Sequence, residues 1–97
     1  MRFKARLLPD ELPVRMLDKE VPLIVEHRIF SRAIGKVILD DDDQHFGIIE
    51  SEDPRVKKGT KLSSGVFLME DNIHEIREVS ITKRPVYPVC EVLEELP

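Results

Sequence analysis

The 97-residue sequence contains one cysteine, Cys90, so no internal disulfide can staple the fold. It has no surplus of positive charge: 15 Lys and Arg stand against 19 Asp and Glu, for a net charge of −4. Acidic residues cluster at Asp40 to Asp43 and again at Glu50, Glu52 and Asp53. A protein whose main partner is a phosphate backbone concentrates basic side chains, so nucleic acid is not the expected partner. There is no long apolar run. The opening stretch "MRFKARLLPDELP" has the pattern of neither a signal peptide nor a membrane span, which makes a soluble, reduced, cytoplasmic chain the expectation. Repeats, low-complexity tracts and Gly/Ser linkers are also missing. A chain of this length forms one core that hides roughly 60–65% of its unfolded surface. A single domain over 1–97 is therefore expected, with an N-terminal strand or extension over 1–20, a core over 21–92 and a short tail over 93–97.

An amphipathic helix of three turns is absent too, and period-two alternation takes its place. Val21, Leu23, Val25, His27 and Ile29 line one face of a predicted strand, with Pro22, Ile24, Glu26, Arg28 and Phe30 on the other. Both faces are fairly apolar, which predicts a central strand. "IGKVILDDDDQHFGIIE" reads as a hairpin of two strands, 34–39 and 45–50, around an aspartate-rich turn. Further strands are predicted over 62–69 and 73–82, separated by the turn "EDN", and the stretches "MRFKARLL" and "VCEVLEEL" add one more at each end. Pro85 and Pro88 cannot donate to a sheet ladder, so "TKRPVYPVC" is expected at an edge, a bulge or a crossing. The economical architecture is mainly β: a small closed or partly open antiparallel β-barrel with little helix.

Several residues have chemistry to offer. His27 interrupts an aliphatic strand face. It is either a buried neutral imidazole with one hydrogen-bond partner or a general base that needs a nucleophile and an orienting group from elsewhere. In "KLSSGVF", Ser63 and Ser64 precede Gly65, where a small residue lets backbone N–H groups approach a developing oxyanion; the alternative is a turn or bulge entering a strand. Glu78 alternates with Ile76 and Ser80, so these three are expected on one face of a strand. The aspartates at 40 to 43 lack the glycine and distal glutamate of a calcium loop, and read as a solvated hairpin tip. His27, His45 and His74 show no zinc-ligand spacing and no glycine-rich phosphate loop occurs, so neither metal nor cofactor is expected.

Three segments, taken in order, resemble a known family. "VPLIVEHRIFSRAIGKVILDDDDQHFGIIES", "KKGTKLSSGVFLM" and "IREVSITKRPVYPVCEV" are similar to successive segments of the caudoviral prohead serine proteases. In that family an apolar strand ends in a histidine, a Leu-Ser-x-Gly-Phe segment follows, and a Glu-Val-Ser segment precedes two prolines. The resemblance covers about Val21 to Val92. It implies the small barrel that these proteases have in common with the herpesvirus assemblins, with His27 as base, Ser63 as nucleophile and Glu78 as the third member. Gly65 falls in the oxyanion region. Ser64 is an alternate nucleophile, and His45 or His74 is an alternate third member, because assemblins use a second histidine there.

Two departures bear on what the resemblance implies. His27 and Ser63 are only 36 positions apart (63 − 27), where family members place a helix-bearing insert, and the phenylalanine after the serine is displaced to Phe67. Two expectations follow. One is a serine peptidase that trims capsid or scaffold precursors inside an assembling phage procapsid in the host cytoplasm. The other is a non-catalytic virion module of the same fold. Both imply capsid or scaffold protein as partner, homo-oligomerisation as an option, and no membrane.

Overall fold

The computed structural model describes residues 1–28 and 30–97. Ile29, assigned above to the Val21 face, lies outside the described residues. The alternating stretches form seven strands: β1 (Arg2–Arg6), β2 (Glu20–Val25), β3 (Gly35–Leu39), β4 (Phe46–Ser51), β5 (Leu62–Leu68), β6 (His74–Ile81) and β7 (Val92–Leu96). The only helical turn among the described residues is a 3-10 turn at Glu70–Asn72, on the predicted "EDN" turn. The protein is mainly β, and its strands make one curled sheet in the order β5-β6-β2-β3-β4-β1-β7.

The predicted hairpin is β3 against β4, with Val37 opposite Ile49 and Leu39 opposite Gly47. Asp40 shapes its tip, since its carboxylate accepts the N–H groups of Asp42 and Asp43. β2 is an interior strand, as its two apolar faces suggest, between β3 and β6. Pro22 is tolerated there because the ladder to β6 begins one residue later, at Leu23. The pairing differs from an all-antiparallel expectation at this place. β2 and β6 run parallel, with Leu23 beside Val79, Ile24 beside Ser80 and Val25 beside Ile81. Hydrophobic patterning specifies which face is buried and carries no signal for strand direction.

The first eight residues belong to the sheet and core. β1 lies between β4 and β7, and Phe3, Ala5, Leu7 and Leu8 are buried. The strand expected in "VCEVLEEL" is β7, and residues 93–96, set apart above as a tail, belong to this strand, which pairs with β1. Pro85 and Pro88 sit outside the strands, in the connection that takes the chain from β6 across to β7 at the far edge of the sheet. There the chain meets the approach to β5: the Leu62 N–H donates to the Cys90 carbonyl (3.0 Å), and the Val92 N–H donates to the Thr60 carbonyl (2.9 Å). Gly59, with φ of +88°, makes the turn that lets its own N–H reach the Val92 carbonyl.

Cys90 is sealed beneath this crossing. Its thiol donates to the Leu7 carbonyl, and burial pushes its pKa up to about 11, which makes it a poor nucleophile. His45, at the start of β4, is bonded on both ring nitrogens, to the Leu12 carbonyl through Nε2 and to the Asp43 carboxylate through Nδ1. Burial works against its proton, but the Leu12 carbonyl and Asp43 outweigh it and raise the pKa. Asp43 is held below its usual value by the backbone N–H and the ring of His45.

These shifts set a pH window. A raised histidine contributes stability that is complete below its unfolded pKa of 6.5 and is lost as pH rises through the folded value. A depressed aspartate contributes stability above 3.8 that is lost as pH falls through its folded value. The urea midpoint of the wild type should therefore exceed that of Asp43→Asn most at about pH 5, with the gap closing towards pH 8. Asp43 is half-exposed, so screening limits the difference to about 1 kcal/mol or less. A gap that stays constant across this range would contradict the linkage.

Candidate active site

The site is assembled on the outer face of the sheet where β2, β5 and β6 lie side by side. In the antiparallel β5–β6 pair, Ser63 is opposite Ser80 and Gly65 is opposite Glu78. Directly opposed residues share a face, with Cβ atoms about 4.5–5.5 Å apart. Ser63, Gly65, Glu78 and Ser80 therefore form one outward-facing patch, and Ile24 of β2 borders it beside Ser80. The neighbouring residues point inward. Ser64 donates its hydroxyl proton to the Leu7 carbonyl (2.8 Å) on the core side, which removes it as an alternate nucleophile for this patch.

Simple alternation would have put Ile76 on the same face as Glu78, and the structure corrects this. The β5–β6 register shifts after Gly65, so that Val66 faces Ile76 and Arg77 is left as an extra residue on β6. The bulge turns Ile76 into the core, where it is 1% exposed, and leaves Glu78 and Ser80 together outside. Nothing in a period-two reading reveals where a strand inserts one residue.

His27 comes to this patch from the end of β2, and not from within a strand as the alternation suggested. β2 stops at Val25, and Glu26 and His27 both take positive φ, 49° and 57°. Two successive non-glycine residues in the left-handed region persist only where their surroundings hold them. Those holds are visible. The Glu26 N–H donates to the Ile81 carbonyl (3.1 Å). The Glu26 carboxylate accepts from the Lys83 N–H (2.9 Å) and the Thr82 hydroxyl (3.0 Å), and these bonds, the Lys83 one foremost, lower its pKa. The His27 N–H donates to Ser80 Oγ (2.9 Å).

The kinked turn folds the imidazole back over β6. His27 Nδ1 lies 2.5 Å from Glu78 Oε1 and 3.3 Å from Ser80 Oγ, and the Ser80 hydroxyl donates to Glu78 Oε2 (3.1 Å). The His27 side chain is 44% exposed and that of Glu78 13%, so the ring is neither the buried core histidine of the blander reading nor free in solvent. The Glu78 carboxylate lies directly over Gly65: a Cβ there would come within 2.1 Å of Oε1. The space above Gly65, expected to favour an oxyanion, is thus occupied by a carboxylate. A developing negative oxygen would be repelled from that point and must be held elsewhere.

Ser63 is 6% exposed and completes the patch. Among the described residues its hydroxyl makes no side-chain hydrogen bond. A Ser63–His27 hydrogen bond is not made in this conformation. The other two histidines lie elsewhere. His45 is committed to Leu12 and Asp43 at the β3–β4 turn. His74 bonds the Asn72 carbonyl at the opposite end of β6, six residues from Ser80, or about 15–20 Å at the rise of a strand. Ser80 is the site residue that sequence reasoning passed over. Its spacing of two from Glu78 was the available signal. No protein-family model matches the chain, and neither a curated protein nor a solved structure is detectably similar to it.

Proposed function

We propose that the protein is a serine peptidase of the prohead-protease type, with Ser63 as nucleophile, His27 as general base and Glu78 as the carboxylate that orients and stabilises the imidazolium. The observation that carries this reading is the convergence of His27, Glu78 and Ser63, from three separate segments, onto one outward patch. With Nδ1 directed at Glu78, His27 Nε2 is the nitrogen left to take the Ser63 proton as Oγ attacks a carbonyl carbon. The resulting imidazolium returns that proton to the leaving amine, and water repeats the cycle on the acyl-enzyme. Catalytic serine–histidine bonds are often long before substrate arrives and shorten in the complex.

The surroundings suit an extended peptide. β5 is an edge strand whose outer side, from Ser63 onward, has no partner strand among the described residues. A substrate segment can add to such an edge through main-chain hydrogen bonds, with Phe67 (57% exposed) and Leu68 (61% exposed) offering apolar contacts. The bonds between the approaches to β5 and β7 support reading the curled sheet as a minimal barrel of the same type. On this reading the substrates are capsid or scaffold precursors of a phage or prophage.

Co-expression with the neighbouring capsid and scaffold genes, followed by intact-mass measurement, tests the proposal. Trimmed partners are expected with the wild-type chain and full-length ones with Ser63→Ala. Full-length partners in both cases would overturn the peptidase reading. If the chain then co-purified with assembled particles, the non-catalytic module would replace it.

A further inference from the structure

We propose that Ser80 is a positioning residue that fixes the ring orientation and tautomer of His27. The inference deepens the peptidase reading and rests on it for its catalytic consequence, but its structural content stands on three contacts of the Ser80 hydroxyl. Ser80 is fully buried, on the central strand of the patch, between Ser63 on β5 and Ile24 on β2. Its oxygen accepts the His27 N–H (2.9 Å), which pins the kinked turn, and its one proton goes to Glu78 Oε2 (3.1 Å). It also lies 3.3 Å from His27 Nδ1.

A hydroxyl has a single proton to give. With that proton on Glu78, Ser80 presents only lone pairs to Nδ1, and Glu78 Oε1, 2.5 Å from the same nitrogen, presents only lone pairs as well. Both neighbours of Nδ1 are acceptors, so the proton of neutral His27 resides on Nδ1 and the lone pair on Nε2. That is the tautomer a base needs in order to deprotonate a serine. Ser80 thus sets the turn from the backbone side and the carboxylate from the side-chain side. Gly65 leaves the room in which that carboxylate lies.

Ser80→Ala tests this on the full chain, with Val79→Ala as control. Val79 is the adjacent, fully buried residue of the same strand, pointing into the core, so its truncation loosens β6 without touching the polar cluster. Nitrogen NMR shifts of neutral His27 are expected to report Nδ1–H in the wild type and in Val79→Ala, and a mixture of tautomers in Ser80→Ala. At a temperature where all three chains are folded, Ser80→Ala should lower kcat on the order of 10- to 100-fold with KM little changed, whereas Val79→Ala should leave kcat near wild type. An unchanged tautomer in Ser80→Ala, or equal losses of kcat in the two variants, would overturn the role. If the wild-type chain cleaves nothing, the peptidase reading fails by itself, and the tautomer comparison still decides whether Ser80 orients His27.

Discussion

Ser63→Ala should reduce peptide cleavage on the order of 10⁴- to 10⁶-fold, while the far-ultraviolet circular dichroism and the melting temperature stay close to wild type. The loss is large because the alanine methyl cannot attack a carbonyl, and only residual stabilisation of the bound substrate remains. Folding is spared because the hydroxyl makes no side-chain hydrogen bond among the described residues, so nothing buried is left unpaired when it goes. His27→Ala should give a loss of similar size, and the double variant should be no worse than either single one, since the two groups act as one unit. Losses that multiply in the double variant, or a Ser63→Ala chain that still cleaves at the wild-type rate, would remove Ser63 and His27 from the mechanism.

Gly65→Ala should also cut activity sharply, though less than Ser63→Ala, for a steric reason. The added Cβ would lie 2.1 Å from Oε1, 2.6 Å from the carboxylate carbon and 2.9 Å from Cγ of Glu78. A single methyl therefore overlaps the whole end of that side chain. Relief by backbone movement is opposed by the β5–β6 ladder on both sides of the pair. Relief by swinging the carboxylate into solvent is cheaper, and it breaks the bonds to His27 and Ser80. Activity should fall on the order of 10²- to 10⁴-fold, as when the orienting acid of a triad is lost. The stability loss should stay within the roughly 1–3 kcal/mol typical of overpacking. A double-mutant cycle makes the cause checkable. If Gly65 acts through Glu78, the effects of Gly65→Ala and Glu78→Ala on kcat are strongly non-additive. Additive effects, or a Gly65→Ala chain with full activity, would show that Glu78 is not held where the catalytic reading needs it.

What the sequence determined by itself was the β character of the chain and most strand positions. Alternation places β2 to β6 within a few residues of where they lie, because burying one face of a sheet imposes a period of two that is written directly in residue type. The two prolines marked the crossing between β6 and β7 for an equally local reason, the missing N–H. The tertiary structure alone decided the rest. The parallel pairing of β2 with β6 brings Ile24 beside Ser80, and no local pattern encodes strand direction. The bulge at Arg77 separates Ile76 from Glu78, and an inserted residue is visible only against the partner strand. The left-handed turn at Glu26 and His27 carries the imidazole out of its strand, and it is held by Ile81, Thr82, Lys83 and Ser80, which lie more than fifty positions further along the chain. Contacts at such separation form only once the sheet has brought β2 and β6 together, which is why Ser80, unremarkable in the sequence, stands at the centre of the site.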